Sequence, residues 1–221
     1  MINPSDIPLS VPTAIEQRRS VRHFNPDPIA DDVLQHLIEL SVMAPTSWNL
    51  QPVRMIVVRD DERRAELAEA CYYQPQVKEA PVSFVFAIEI GSWRANMDAV
   101  IEIATDAGAW TPEYVENYRK FATGSQESLG DRLREFDTKD ALIVATHLAL
   151  AAESLGLGSC FMNGYDEAKV KAVIGAAERD DIGVSLVMPI GSPSQRGGNP
   201  GRLPLSQTVF AETFDSPWKS A

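Results

Sequence analysis

The sequence predicts one domain in which amphipathic helices alternate with a few short strands. Three observations carry that expectation. Apolar residues recur at three- and four-residue spacing in several segments, as one face of a helix requires. Between them stand short β-branched runs, Val53 to Val58, Val82 to Ile88 and Val184 to Ile190, with the length and composition of strands. No linker divides the 221 residues into halves, and a 44 % hydrophobic composition suffices for one core.

In chain order, a helix is predicted from about Thr13 to Ser20, with Thr13 as its N-cap. Asn25-Pro26-Asp27-Pro28 then imposes extended backbone, because a residue before proline is pushed out of the α region. Asp31 or Asp32 opens a second helix with Val33, Leu34, Leu37, Ile38 and Val42 on one face, stopping before Pro45. Ala44 to Pro52 reads as a polar loop between prolines, and Val53 to Val58 as a strand. A helix from about Glu62 to Ala70 and a buried strand from Val82 to Ile88 follow. From Ser92 to about Arg134 the pattern is helical, interrupted at Thr111-Pro112 and at Gly124, and it holds Trp93, Trp110, Tyr114, Tyr118 and Phe121. Thr138 to Leu155 is apolar nearly all round, as suits a helix buried in a core or a subunit interface, and Gly156 ends it. A short helix from Asp166 to Ile174, the strand Val184 to Ile190 and a Gly/Pro-rich loop from Ser192 to Pro204 complete the pattern. The tail to Ala221 has too little periodicity for a core of its own and is expected to pack on something else.

Charge and composition exclude several classes. Lys+Arg 20 against Asp+Glu 31 gives a net charge of −11, the wrong sign for displacing counterions from nucleic acid. A small anionic ligand needs only a local cluster of positive charge and stays open. The longest apolar stretch, Ala141 to Ala152, falls short of the ~20 residues that cross a bilayer. The opening MINPSDIPLSVPT has neither the basic start nor the apolar block of a signal peptide. Cys71 and Cys160 give no disulfide framework, and with His23, His36 and His147 they make no metal-ligand pattern. The expectation is a cytoplasmic protein with no membrane span, no nucleic-acid partner and no metal.

Four segments concentrate chemistry. Arg18-Arg19-Ser20-Val21-Arg22 is a basic knot able to bind phosphate oxygens, or else a solvated helix end favourably placed at the negative dipole terminus. Pro45-Thr46-Ser47-Trp48-Asn49-Leu50-Gln51-Pro52 gathers hydroxyls and amides that suit the polar edge of a heteroaromatic ring, or that satisfy their own backbone. Gly156 to Gly164 has glycines that permit close backbone approach to a ligand, without the strand-then-helix order of a dinucleotide fingerprint. Its Cys160 reads as a small core residue, with no histidine nearby in sequence to activate it. Ile182 to Ala211 contains no Asp or Glu yet carries Arg196 and Arg202, so it is either a phosphate-closing loop or a mobile surface loop.

In this order the four segments resemble the FMN-dependent nitroreductase family, over about Ala14 to Phe214. The motifs concerned are Arg-Arg-Ser-x-Arg, Ala-Pro-Thr-x-x-Asn-x-Gln-Pro before a strand, the apolar helix leading into Leu-Gly-Leu-Gly-Ser-Cys, and Pro-Ile-Gly followed by Arg-Leu-Pro. The resemblance implies an α+β fold with a central mixed sheet flanked by helices, an intertwined homodimer, and FMN between the subunits. It implies that Arg18 and Arg202 bind the FMN phosphate, that Arg19 and Ser20 bind phosphate or ribityl oxygens, and that Arg22 reaches N1 and O2 of the ring. Pro45, Thr46, Ser47 and Asn49 would come from the other subunit, while Met162, Asn163 and Gly164 line the ring with a backbone N–H near N5. Two departures from the family pattern stand out: Val53 where Trp is common, and Tyr73 where many members carry Asn, with Gln74 and Gln76 as substitutes.

The function so implied is hydride transfer from NAD(P)H through FMN to a nitroaromatic, quinone or similar small aromatic acceptor, by a ping-pong scheme with no essential side-chain acid or base. Alternatives are a related FMN enzyme specialised for dehalogenation, flavin destruction or azoline oxidation, and a non-catalytic FMN-binding sensor. Residues 1–221 are expected to form one domain, with 92–134 as a variable helical lid and about 205–221 as a tail on the partner subunit.

Overall fold

The computed structural model describes residues 8–219. In chain order the elements are α1 (Val11–Gln17), α2 (Asp31–Val42), β1 (Val53–Val58), α3 (Asp61–Ala70), α4 (Pro75–Glu79), β2 (Val82–Glu89), α5 (Trp93–Asp106), α6 (Pro112–Leu129), α7 (Leu133–Ser154), β3 (Gly158–Ser159), α8 (Glu167–Val173), β4 (Ile182–Gly191) and α9 (Leu205–Thr208). Single turns of 3-10 helix occupy Ser47–Asn49 and Gly130–Arg132.

The strands form one sheet in the order β1-β2-β4-β3. The alternation of β2 explains why it is covered on both faces. Val82, Phe84, Phe86 and Ile88 pack with Leu148, Ala145 and Leu37 of α7 and α2. Val85 packs on the opposite face with Leu67, Val170 and Val187, under α3 and α8. Both central strands are therefore buried along almost their whole length, and each large apolar side chain so buried contributes about 1.5–3 kcal/mol. The expected mixed sheet is antiparallel at every pairing of named strands. Parallel pairing among the described residues is confined to the bridge between Ser20 and Ser159.

β1 lies where the β-branched run predicts it, and α2 stops before Pro45 as expected. Other boundaries moved for local reasons. α1 begins at Val11 because Ser10, not Thr13, is its cap, accepting from the Thr13 N–H, and Pro12 suits a first turn. α6 runs straight through Gly124, and the break falls at Gly130, whose φ of 51° is left-handed. α7 starts at Leu133, five residues before the expected Thr138, so its first turns carry charged side chains. It ends as predicted at Gly156, with Leu157 N donating to Ala152 O (2.9 Å) and Gly156 N to Glu153 O (3.0 Å), the Schellman pair.

The 22 residues of α7 span about 33 Å and run the length of the sheet. One face is core, while Leu142, Ile143, Thr146 and His147 form an exposed stripe at helical spacing. The tail is exposed at Leu203, Leu205, Phe214 and Trp218. The tail expectation reaches Ala221, and the leader reading covers Met1 to Thr13; residues 1–7, 220 and 221 lie outside the described residues. No helix among the described residues is long and apolar enough to cross a membrane.

α7 also buries three acids, Asp137, Asp140 and Glu153. Asp137 Oδ2 has no hydrogen-bond partner among the described residues. Burial, and then the Asp140 charge, push the Asp137 carboxyl up from 3.8 to about 7. A carboxyl whose folded value is raised binds its proton more tightly in the fold than in the unfolded chain. Its stabilising contribution is complete below about pH 4 and is lost as pH rises through about 7. Asp137→Asn should therefore melt above the parent at pH 8, with the gap closing toward pH 5 in a thermal-melt series.

Candidate functional site

The basic knot turns extended where α1 ends, at Arg18, with ψ 128°. The segment then lies against β3. Val21 N donates to Ser159 O (3.0 Å), and Ser20 bridges Ser159. A Cβ on Gly158 would fall 2.5 Å from Val21 Cγ2, so this glycine is required for that packing rather than for approach to a ligand. Glu79 of α4 fixes the far end, accepting from Phe24 N (3.1 Å) and pairing with His23 Nδ1. Alternation along the extended segment buries Val21 and leaves Ser20 and Arg22 exposed.

The arginines divide by role. Arg19 donates to Glu16 O (2.7 Å) and Arg18 O (2.9 Å), closing the end of α1 as the helix-end reading requires. Arg18 is different: its Nη1 is buried with no hydrogen-bond partner among the described residues, and so is the neighbouring Ser159 hydroxyl. An unsatisfied buried guanidinium nitrogen is costly and fits an acceptor supplied from outside the chain. Burial pushes the Cys160 thiol up, against the pull of the Arg22 and Arg18 charges and the Ser20 hydroxyl, so it remains a protonated core residue.

Beyond Cys160 the chain passes the same region. Met162 is buried and exchanges both backbone bonds with Val187 (3.0 and 3.2 Å), so its N–H is spent. Asn163 and Gly164 are exposed and follow directly. Gln74 Nε2 donates to Gly164 O (2.8 Å) and Cys71 O (3.1 Å), and Gln76 Nε2 donates to Gln74 Oε1 (3.1 Å). The Gln74 and Gln76 amides thus brace the Gly164 loop. Beside them Tyr72 and Tyr73 are exposed, with φ of 58° and 53°.

Of the two arginines in the acid-free stretch, Arg196 is committed internally. It pairs with the buried Glu153 of α7 at 2.5 Å and donates to Gly156 O (3.4 Å). Arg202 is exposed and donates to Gly201 O (2.7 Å), in the carbonyl-capping manner of a surface loop.

The Pro45–Pro52 loop is held elsewhere. Trp48, Asn49 and Gln51 all adopt left-handed backbone, with φ of 52°, 56° and 48°. Each such residue costs on the order of 1–3 kcal/mol and persists only where its surroundings over-determine it. Inside the loop, Thr46 Oγ1 accepts from Gln51 N (3.1 Å), and Asn49 Oδ1 accepts from Gln51 Nε2 (3.2 Å). Thr46 and this oxygen of Asn49 therefore serve the loop itself. From outside, Asp140 of α7 accepts the Ser47 N–H on both oxygens (3.1 and 3.0 Å). Tyr118 of α6 donates to Trp48 O (2.7 Å), its hydroxyl pushed up to about 12 by burial and so protonated. Asn96 of α5 donates to Leu50 O (2.8 Å) and Gln51 O (3.1 Å). Asp140 and Asn96 were not legible as partners of this loop, because their contacts join segments 45 to 93 residues apart.

The two segments are held at separate places along α7. The Pro45–Asn49 loop is anchored at Asp140, whereas the Arg18–Arg22 segment lies on β3, just beyond Ser154. At 1.5 Å per residue those two points on α7 are about 21 Å apart. No group of three or more His, Cys, Asp or Glu among the described residues is arranged to hold a metal.

The chain is 32 % identical to a Thermus thermophilus protein named NADH dehydrogenase over 202 residues, covering 91 % of this chain and 96 % of that protein. A Vibrio harveyi NADPH:FMN oxidoreductase solved with NAD+ superposes at a TM-score of 0.70 with 28 % identity, over 92 % of this chain and 77 % of that one. An Exiguobacterium sibiricum protein solved in complex with FMN shares the fold at a TM-score of 0.82 and 22 % identity, over 92 % and 98 % of the two chains. The model of the Nitroreductase family matches residues 15–192, the span that carries the basic knot, the left-handed loop, α7 and β4, and the chain belongs to that family.

Proposed function

We propose that this protein is an FMN-dependent oxidoreductase that draws reducing equivalents from NAD(P)H and delivers them to small aromatic acceptors such as nitroaromatics or quinones. The observation that carries the reading is the buried, unpartnered Arg18 Nη1 beside Ser20 and Arg22: an anion site for which the described residues supply no anion. Family membership and the NADPH:FMN oxidoreductase among its relatives support the same reading. The chemistry that bound FMN supplies is a hydride relay at N5 between the nicotinamide and the second substrate.

The chain's own residues bind and orient. Arg18 neutralises the phosphate through charge-assisted hydrogen bonds, with Arg202 joining from its exposed loop and Arg19 and Ser20 serving phosphate or ribityl oxygens. Arg22 presents an exposed cation to the N1/O2 edge of the ring, favouring the electron-rich form of the cofactor. With the Met162 N–H engaged by Val187, the backbone donor to N5 falls to Asn163 or Gly164. No side chain is assigned as acid or base.

The second half-site comes from a second copy of the chain. The Asp140 anchor of the loop carrying Pro45, Thr46, Ser47 and Asn49 stands about 21 Å along α7 from Ser154, the end of the helix that leads to the basic knot, and this separation supports a site completed by two copies. The exposed Leu142 and Ile143 stripe, with Val42 and Met43 at the end of α2, offers an apolar face for that copy, and the 205–219 tail presents Leu205, Phe214 and Trp218. Helices α5 and α6, within residues 92–134, serve as the lid on the open side of the ring.

Three measurements test this. The protein mixed with FMN should bind it, gain thermal stability and bleach when NADPH is added anaerobically; unchanged absorbance and melting would refute the reading. Arg18→Ala should weaken FMN binding by about 10- to 100-fold, as loss of a charge-assisted hydrogen bond to phosphate implies. The same variant should bind riboflavin, which lacks the phosphate, as the parent does. Arg22→Ala should lower the flavin midpoint potential more than it weakens binding, as read by anaerobic dye titration.

A further inference from the structure

The Thr46–Gln51 loop is controlled by its neighbours to an unusual degree. Side chains from three separate helices reach it, and each bonds to backbone: Asp140 to Ser47 N, Tyr118 to Trp48 O, and Asn96 to Leu50 O and Gln51 O. Trp48 and Gln51, whose carbonyls take two of those bonds, and Asn49 between them are the residues in left-handed backbone. Trp and Gln rarely visit that region unaided, so the external bonds select a conformation that the loop would not hold by itself.

We propose that Tyr118 and Asp140 are positioning residues that keep this loop in the shape in which it meets FMN, so that the lid helix α6 governs flavin binding as well as access to it. The inference rests on the FMN reading above. Tyr118 is built for this task from the lid side. Its ring is buried against Trp110 (4.5 Å between centroids) and meets the edge of Trp48 at 6.0 Å, while its hydroxyl is committed to Trp48 O. Asp140 acts from the opposite side. It is an acid on the core face of an apolar helix, where an apolar side chain would be easier to bury, and its two oxygens converge on one N–H of the loop. A lid residue that shifts on substrate binding therefore moves the Trp48 carbonyl, and with it the segment carrying Ser47 and Asn49.

The test compares Tyr118→Phe, which keeps the ring and removes one hydrogen bond, with Asp140→Ala and Asp140→Asn, the last retaining an acceptor oxygen for Ser47 N. Amide hydrogen exchange of residues 47–51 is measured in FMN-free protein, alongside FMN affinity by flavin fluorescence and melting temperature. Tyr118→Phe and Asp140→Ala should each speed exchange in that loop by about tenfold and weaken FMN by about fivefold, while the β2 and β4 amides keep their protection. Asp140→Asn should recover most of both. Unchanged loop exchange, acceleration spread evenly over the whole chain, or faster loop exchange with parental FMN affinity would each overturn the inference. A parent protein that binds no FMN overturns the functional reading instead, and the exchange data then show separately whether the loop depends on Tyr118 and Asp140.

Discussion

The burial of one long helix is the constraint on which the rest depends. α7 covers β2 and β4 on one side, packs against α2 and α1, and holds two of the chemistry-bearing segments at separate places along its length. Its early turns present Asp140 to the left-handed loop. Its last turn leads through a Schellman cap into β3, where the basic knot docks. The spacing of Asp140 and Ser154 along α7 separates these two segments, and its exposed stripe of Leu142 and Ile143 leaves an apolar face beside them. Lengthening or breaking this helix would alter core, site spacing and outer face together.

Polar groups buried along that helix show how stability yields locally to function. Asp137 is held in a setting that favours its neutral form, Asp140 is spent on one backbone N–H, and Glu153 anchors the Arg196 loop. None of these is the cheapest residue for a helix facing an apolar sheet. Asp140 and Glu153 each fix something the hydrophobic core cannot, namely the conformation of a connecting segment. The strain at Trp48, Asn49 and Gln51 is maintained the same way, by hydrogen bonds to backbone from α5, α6 and α7.

Much of the fold was legible because its signals are local. The β-branched run of β1, the apolar continuity of β2 and β4 and the glycine after α7 each act through near neighbours in sequence. Signals that compete locally misled. Gly124 is tolerated inside α6 because flanking helix formers and packing offset its cost, while Gly130 supplies the left-handed turn instead. The single-turn α4 and two-residue β3 are too short to show periodicity, and both matter: Glu79 and Gln76 belong to α4, and Ser159 to β3.

By itself the sequence determined which residue types are available and where chemistry concentrates: four arginine-, amide- or glycine-bearing segments on an α+β frame, in an acidic chain. Only the tertiary structure decided what each does within that frame. It spends Arg19 on a helix end and Arg196 on Glu153, leaves Arg18 with a buried donor unmet among the described residues, gives Gly158 to Val21, and takes the Met162 N–H into the sheet. The reason is physical. Whether a polar group is free for a ligand depends on what lies within about 3 Å of it, and those neighbours come from segments tens of residues away.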